Sequence, residues 1–192
     1  MRLEVAPVRR LRRQERREQV LAAATRAFAR SGFAATSLDD IAAEAGVSRV
    51  ILYRHFESKT DLYQAVLERA RSRLAAGVGT GEYTADAIQA LLRVAAEEPD
   101  GFRLLFQHAA REPEFRAWAD EFRATAVDVA YRQIVEFVPE PAWAHWASQL
   151  APAIAIDAVI AWLDAGQPDP DGAAERILRV LGAIVNAARA QT

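Results

Sequence analysis

The stretch TSLDDIAAEAGVSRVILYRHFESKTD, residues 36–61, decides how the chain is read. Leu38, Ile41, Ala42 and Ala45 recur at three- and four-residue spacing, which gives a short helix a single apolar stripe. Ser37, or Thr36 just before it, is a natural N-cap, and Asp39 and Asp40 stand where the helix dipole favours negative charge. Gly46 supplies the left-handed backbone that ends this helix. A second helix starts at Ser48, with Leu52 and Phe56 four apart as its anchors. Two amphipathic helices joined this tightly form a helix-turn-helix.

At 100° per residue, Arg49, Val50, Tyr53 and Arg54 point away from Leu52. The set suits a groove-reading face. Arg can bond a guanine edge twice, an aliphatic group can meet a thymine methyl, and a tyrosine hydroxyl can reach a phosphate. Glu57-Ser58-Lys59 opens the next helix, whose N-terminal N–H groups, with the Lys59 charge, suit an anion.

These residues resemble the DNA-binding domain of the TetR (tetracycline-repressor) family. The matching pattern is G-F-x-x-T-S-L-x-x-I-A-x-x-A-G-V-S followed by L-Y-x-H-F-x-S-K-x-x-L, ungapped from Gly32 to Leu62. One departure lies at Val50 and Ile51, where the family usually carries smaller or less apolar residues. The resemblance implies an all-α protein of about nine helices, with a three-helix DNA-binding domain followed by a helical ligand-binding and dimerisation domain. It implies DNA contacts at Thr36, Ser37, Ser48, Arg49, Val50, Tyr53, Arg54, His55 and Lys59, with Thr36, Ser48, Tyr53, His55 and Lys59 on phosphates. His55 is carried by the resemblance alone, because on a helical wheel it lies nearer Leu52 than Tyr53. The implied partners are a double-stranded DNA operator, a second copy of the chain, and a small apolar or amphipathic effector. The implied action is cytoplasmic transcriptional regulation, repression more than activation, with an effector-independent architectural module as the alternative.

Composition agrees with a globular protein: 192 residues, 52% hydrophobic and 26% charged. The net charge of −2 hides an asymmetry. Up to Ala75 there are 15 Lys+Arg against 9 Asp+Glu, and the remainder has 9 against 17. A basic head on an acidic body suits a chain that meets a polyanion at one end. The absence of cysteine excludes disulfides, thiolate nucleophiles and Cys-based zinc sites. Residues 1–7 lack the apolar core of a secretion signal, and the tract 150–163, interrupted by Pro152 and Asp157, reads as too short to span a bilayer. No membrane partner is expected.

Residues 9–13, RRLRR, form a basic arm that suits a minor groove or phosphates, or else a solvated helix start. The first helix is expected over 14–30, with Val20, Leu21, Ala24, Ala27 and Phe28 inside. After the motif, a helix over 61–75 connects a head at 10–60 to a body at 61–192, so that its tilt would change the separation of two heads. The glycines at 77, 79 and 81 lack phosphate-loop spacing and read as a joint. Beyond them proline punctuates helices over 85–97, 102–111, 114–138, 142–165 and 171–190.

The last two helices carry most of the body's apolar residues. The penultimate helix is apolar nearly all round between 150 and 163, and must be covered on every side. A second copy would supply the outer cover through a four-helix bundle, with Ile160, Ile177, Leu181, Ile184 and Val185 as the expected contacts. Phe102, Phe106, Trp118 and Phe122, with His145 and Asp157 as polar groups, form the candidate effector pocket. Aromatics at helical spacing equally suit an ordinary core. Asp157, set among Ile154, Ile156, Val159 and Ile160, caps a pocket, pairs across a dimer or faces solvent. The three histidines share no metal-ligand spacing, and no nucleophile elbow is present, so neither a metal, a cofactor nor catalysis is expected.

Overall fold

The computed structural model describes the backbone of residues 6–79 and 85–189, and the side chains of 13–79 and 86–189. The arm side chains at 9–12, and residues 80–81 of the glycine-rich joint, lie outside the described residues. Two compact units emerge, Met1–Ala70 and Arg71–Thr192. Among the described residues every regular element is helical.

The first unit is built on α1 (Ala6–Ala35), which starts earlier than the expected 14 and bends at Gly32, where φ is 77°. Val20, Leu21, Ala24, Ala27 and Phe28 are all buried, as the stripe requires. α2 (Leu38–Glu44) starts at Ser37, whose Oγ accepts the Asp40 N–H at 3.1 Å while the Asp40 carboxylate accepts the Ser37 N–H at 3.0 Å. That reciprocal pair satisfies two donors the helix end would otherwise leave open. The far end closes just as locally: Val47 N–H reaches the Ala42 carbonyl at 3.0 Å and Gly46 N–H reaches Ala43 at 3.1 Å. Gly46 has φ +62°, and a Cβ there would meet nothing within 4 Å, so backbone conformation rather than crowding requires the glycine.

α3 (Arg49–Tyr53) is five residues long, capped by Ser48 Oγ accepting the Ile51 N–H. Five residues cannot hold a helix by propensity. Leu52 and Phe56, both buried, hold it instead, each contributing roughly 1.5–3 kcal/mol by leaving water. Two clamps tie α1 to α2: Glu44 accepts from Arg26 at 2.9 Å and Arg30 at 2.7 Å, and Gln19 Nε2 donates to the Ala45 carbonyl at 2.7 Å. The guanidinium of Arg30 is the main reason Glu44 stays below the usual carboxylate pKa. α4 (Lys59–Val78) lays Tyr63 edge-on against Phe28 and Phe33, with ring centroids 4.9 and 5.0 Å away.

The second unit contains α5 (Ala85–Glu97), α6 (Pro99–Arg103), α7 (Arg116–Ile134), α8 (Pro141–Asp164) and α9 (Pro170–Arg189). Between α6 and α7 the chain makes a wide π turn over Leu104–His108, closed by Ala109 N–H on the Leu104 carbonyl, and then a 3-10 turn over Ala109–Arg111. α8 packs mainly on α7 and α9, and α9 also on α5. Pro141 and Pro99 sit in the first turns of their helices, where a missing N–H costs nothing. Pro152 lies inside α8 without ending it, as the expected helix over 142–165 requires. α8 is 24 residues long with a window of mean hydropathy 1.4, long and apolar enough to cross a bilayer by length and composition, but half of that window is buried inside the protein.

Candidate nucleic-acid interface

On the first unit, Ser48, Arg49, Val50, Tyr53 and Arg54 are exposed while Leu52 and Phe56 are buried, so α3 presents one side outward. Val50 is 63% exposed on this side, the one aliphatic residue among the polar groups of the face. Arg49 is engaged before any ligand arrives. Its Nη1 donates to Asp39 Oδ2 at 3.0 Å, its Nη2 to the Tyr53 hydroxyl at 3.4 Å, and its guanidinium carbon sits 5.5 Å from the Tyr53 ring centre. Ser37 is exposed at the start of α2, with its hydroxyl also bonded to Asp40 at 2.6 Å.

Three of the expected DNA residues stand differently from the rest. Thr36 is only 3% exposed, and its hydroxyl donates to the carbonyls of Gly32 at 2.7 Å and Ala27 at 3.3 Å. Its side chain therefore closes the α1 bend rather than facing outward. Lys59 is half-buried, with Nζ donating to the Phe33 and Ala34 carbonyls at 2.9 and 3.2 Å and lying 4.5 Å from the Phe33 ring centre. Two of its three donors thus cap α1. The anion expected at the start of α4 is supplied from within: the Asp61 carboxylate accepts the Glu57 N–H at 2.9 Å, and Ser58 Oγ accepts the Asp61 N–H at 3.0 Å.

His55 is half-buried at the edge of the face. Burial, then the charges of Arg13, Arg17 and Arg16, lower its pKa and favour the neutral ring. This basic cluster on α1 is a feature the helical wheel of α3 did not reveal. Arg17 also stacks over Phe56 at 5.2 Å, so a cation and a core anchor share one contact.

Residues 20–66 match the family described as bacterial regulatory proteins, tetR family. The HTH-type transcriptional regulator TtgR of Pseudomonas putida is 51% identical over 55 residues, 29% of this chain and 26% of its own. The fold is similar to that of a TetR-like transcriptional regulator from Rhodococcus sp. RHA1, with a TM-score of 0.74 and 20% identity, covering 92% of this chain and 97% of that one. Similarity extends past the head: the HTH-type transcriptional activator FasR of Mycolicibacterium smegmatis is 35% identical over 179 residues, 86% of this chain and 81% of its own.

The chain belongs to the TetR family. It is therefore a sequence-specific DNA-binding transcriptional regulator rather than an enzyme. In the body of this TetR-family regulator, Phe102, Phe106, Phe122 and Trp118 form a continuous aromatic run, with successive ring centroids 4.7, 5.7 and 5.9 Å apart. Phe102 is buried and the other three are half-buried. His145 and Asp157 do not join them. Both are exposed on α8, and His145 instead meets Tyr131 edge-on at 6.3 Å. Helical periodicity gave each residue a face but not the direction of that face. His108, in the wide turn beside Phe106, is the half-buried histidine of this region. A separate depression of about 330 Å³ lies between α8 and α9, lined by Ala158, Trp162, Ala173 and Ile177.

The expected dimer contacts also need correcting. Ile160, Ile177, Leu181 and Ile184 are buried within the regulator's own body and Val185 is half-buried, because α9 uses this stripe to pack on α8 and α5. Among the described residues, those left outward include Trp143, His145, Trp146, Gln149, Ala153, Asp157 and Ala161 on α8, and Glu175, Arg176, Arg179, Val180, Ala183, Asn186 and Ala187 on α9. The tryptophans, alanines and valine of this mixed surface are left uncovered by the described residues of the second unit.

Burial, then the nearby charge of Arg111 and more weakly Arg103, lowers the His108 pKa, with Glu112 opposing. A lowered folded pKa means that the fold excludes a proton the unfolded chain accepts. The associated stability is present above the unfolded value of about 6.5 and is lost as pH falls through the folded one. The regulator's melting temperature should therefore drop between pH 7.5 and 5.5, and His108→Gln should flatten that drop in a thermal melt series.

Proposed function

We propose that two copies of this regulator read a palindromic operator through α3, with half-sites about one turn, ~34 Å, apart. One observation carries the reading: Arg49, Val50, Tyr53 and Arg54 stand exposed together over a buried Leu52 and Phe56. Arg49 and Val50 meet base edges, while Ser37, Ser48, Tyr53, Arg54 and the α1 arginines near His55 lie along phosphates. Thr36 and Lys59 support the face from behind, the first by closing the α1 bend and the second by capping α1. Arg49→Ala should cost about 1–3 kcal/mol and relax preference at one base pair in a binding-site selection. Unchanged discrimination would remove Arg49 from the reading face.

The outward surface of α8 and α9 supports assembly with a second copy. For α8 this is core-and-interface packing rather than a membrane span, since half of its most apolar window is already covered. An apolar or amphipathic effector would lodge against the Phe102, Phe106, Trp118 and Phe122 run and shift the dimer toward a head spacing that the operator does not accept. The head at 10–60, the connector at 61–75 and the body out to 192 are the parts this reading assigns, working in the cytoplasm. A metabolite that raises the melting temperature supports the effector role, whereas an architectural module would gain nothing from any. Repression fits release by an effector. The FasR similarity, which runs through the body, favours an activator instead, and run-off transcription on an operator-bearing template separates the two.

A further inference from the structure

Two adjacent acids open α2, and they do different things. Asp40 is bound to the N-cap Ser37 through both its backbone and its side chain, which is what a first-turn carboxylate is for. Asp39 takes no part in the cap and holds Arg49 across the turn at 3.0 Å, with both side chains more than half exposed. A pair this wet contributes little to folding, so stability does not account for it. Its cost is plain: it sets a carboxylate beside a face that must approach a polyanion. Arg49 is held from two sides, by Asp39 on Nη1 and by the Tyr53 hydroxyl and ring on the other. A free arginine would swing to the nearest phosphate on any sequence, whereas a tethered one keeps its planar fork aimed.

We propose that Asp39 is a specificity-determining, positioning residue: it tethers Arg49 so that the guanidinium serves a base edge and is withheld from phosphates. The inference rests on the reading of Arg49 as a base contact. Removing the tether frees a cation for non-specific binding and blurs the site. Asp39→Asn keeps the shape and removes the charge. It should raise affinity for random duplex several-fold, steepen the salt dependence by about one phosphate contact, and reduce discrimination at the Arg49 base pair by about tenfold, toward the lower end of what one bidentate contact supplies. Asp39→Glu, which restores the charge, should recover most of the discrimination. The melting temperature should stay unmoved with Asp39→Glu and fall only slightly with Asp39→Asn, which takes one first-turn carboxylate from the α2 dipole.

The experiment is a binding-site selection with salt titration on the full chain and on Asp39→Asn, Arg49→Ala and the double variant. The tether is supported if Asp39→Asn lowers discrimination in the wild-type background and does nothing further once Arg49 is alanine. It is overturned if Asp39→Asn leaves discrimination intact while Arg49→Ala abolishes it, a result that leaves the DNA reading standing. It is equally overturned if Asp39→Asn has the same effect with and without Arg49, since Asp39 would then touch a base itself, as a carboxylate does with the cytosine amino group. If Arg49→Ala changes no base preference, the reading of the face fails first and the tether with it.

Discussion

An arginine at Ala153, on the outer side of α8, is expected to turn the protein into monomers and to weaken binding to a palindromic duplex by 100-fold or more. The second head of a dimer binds at an effective concentration set by the first, and losing that linkage removes a factor of about 10²–10⁴. Ala153 is exposed, and Trp146, Asp157 and Ala161 lie on the same side, so the new side chain disturbs nothing within the subunit. Placing a charge at Ile160 is a different experiment. Ile160 is 5% exposed, and an unpaired carboxylate there costs several kcal/mol and unfolds the body. Light scattering with a thermal melt tells the two apart: Ala153→Arg should give a folded monomer, Ile160→Asp an unfolded or aggregated chain. A dimer that survives Ala153→Arg unchanged would locate self-association elsewhere.

Phe56→Ala should be the truncation that most directly undoes α3, at about 3–5 kcal/mol. Phe56 is 2% exposed and sits under Arg17, so its loss opens a cavity and releases a cation from its stacking partner. α3 has only five residues and no stability of its own, so it is expected to fray when this anchor goes. The loss is a large part of the 5–15 kcal/mol that typically holds a domain together. DNA binding should vanish, and hydrogen exchange should show lost protection from Ser48 to Phe56 while α8 and α9 keep theirs. Protection retained in α3 would mean that Leu52 and the caps hold it alone.

The sequence disclosed the head well because its signals are local. Ser37, Gly46 and Ser48 act through bonds to residues at most five positions away, so spacing alone reveals the caps and the turn. The long-range contacts of Lys59 and Thr36 were not legible in that way. Lys59 reaches back to Phe33 and Ala34, and Thr36 to Ala27, through the kink at Gly32. The Asp39 to Arg49 pair, ten residues apart across a turn, looked like helix-dipole charge for the same reason. In the body, a stripe on α9 shows that one side is buried but not by what. The protein's own α8 and α5 took the positions assigned to a second copy, and the alanine-rich opposite sides, weak in hydrophobicity, carried no signal. His145 and Asp157 failed as pocket groups for the converse reason, since a polar residue in an apolar run is as easily a solvent-facing one.

Of the four tryptophans, Trp143 and Trp146 stand half in water on the outer side of α8, packed edge to face at 5.6 Å. Indole emission shifts to shorter wavelength when water leaves the ring, so the chain carries its own optical gauge on that surface. Whatever comes to cover α8 is visible in the colour of the unlabelled protein, at the dilutions where partners part.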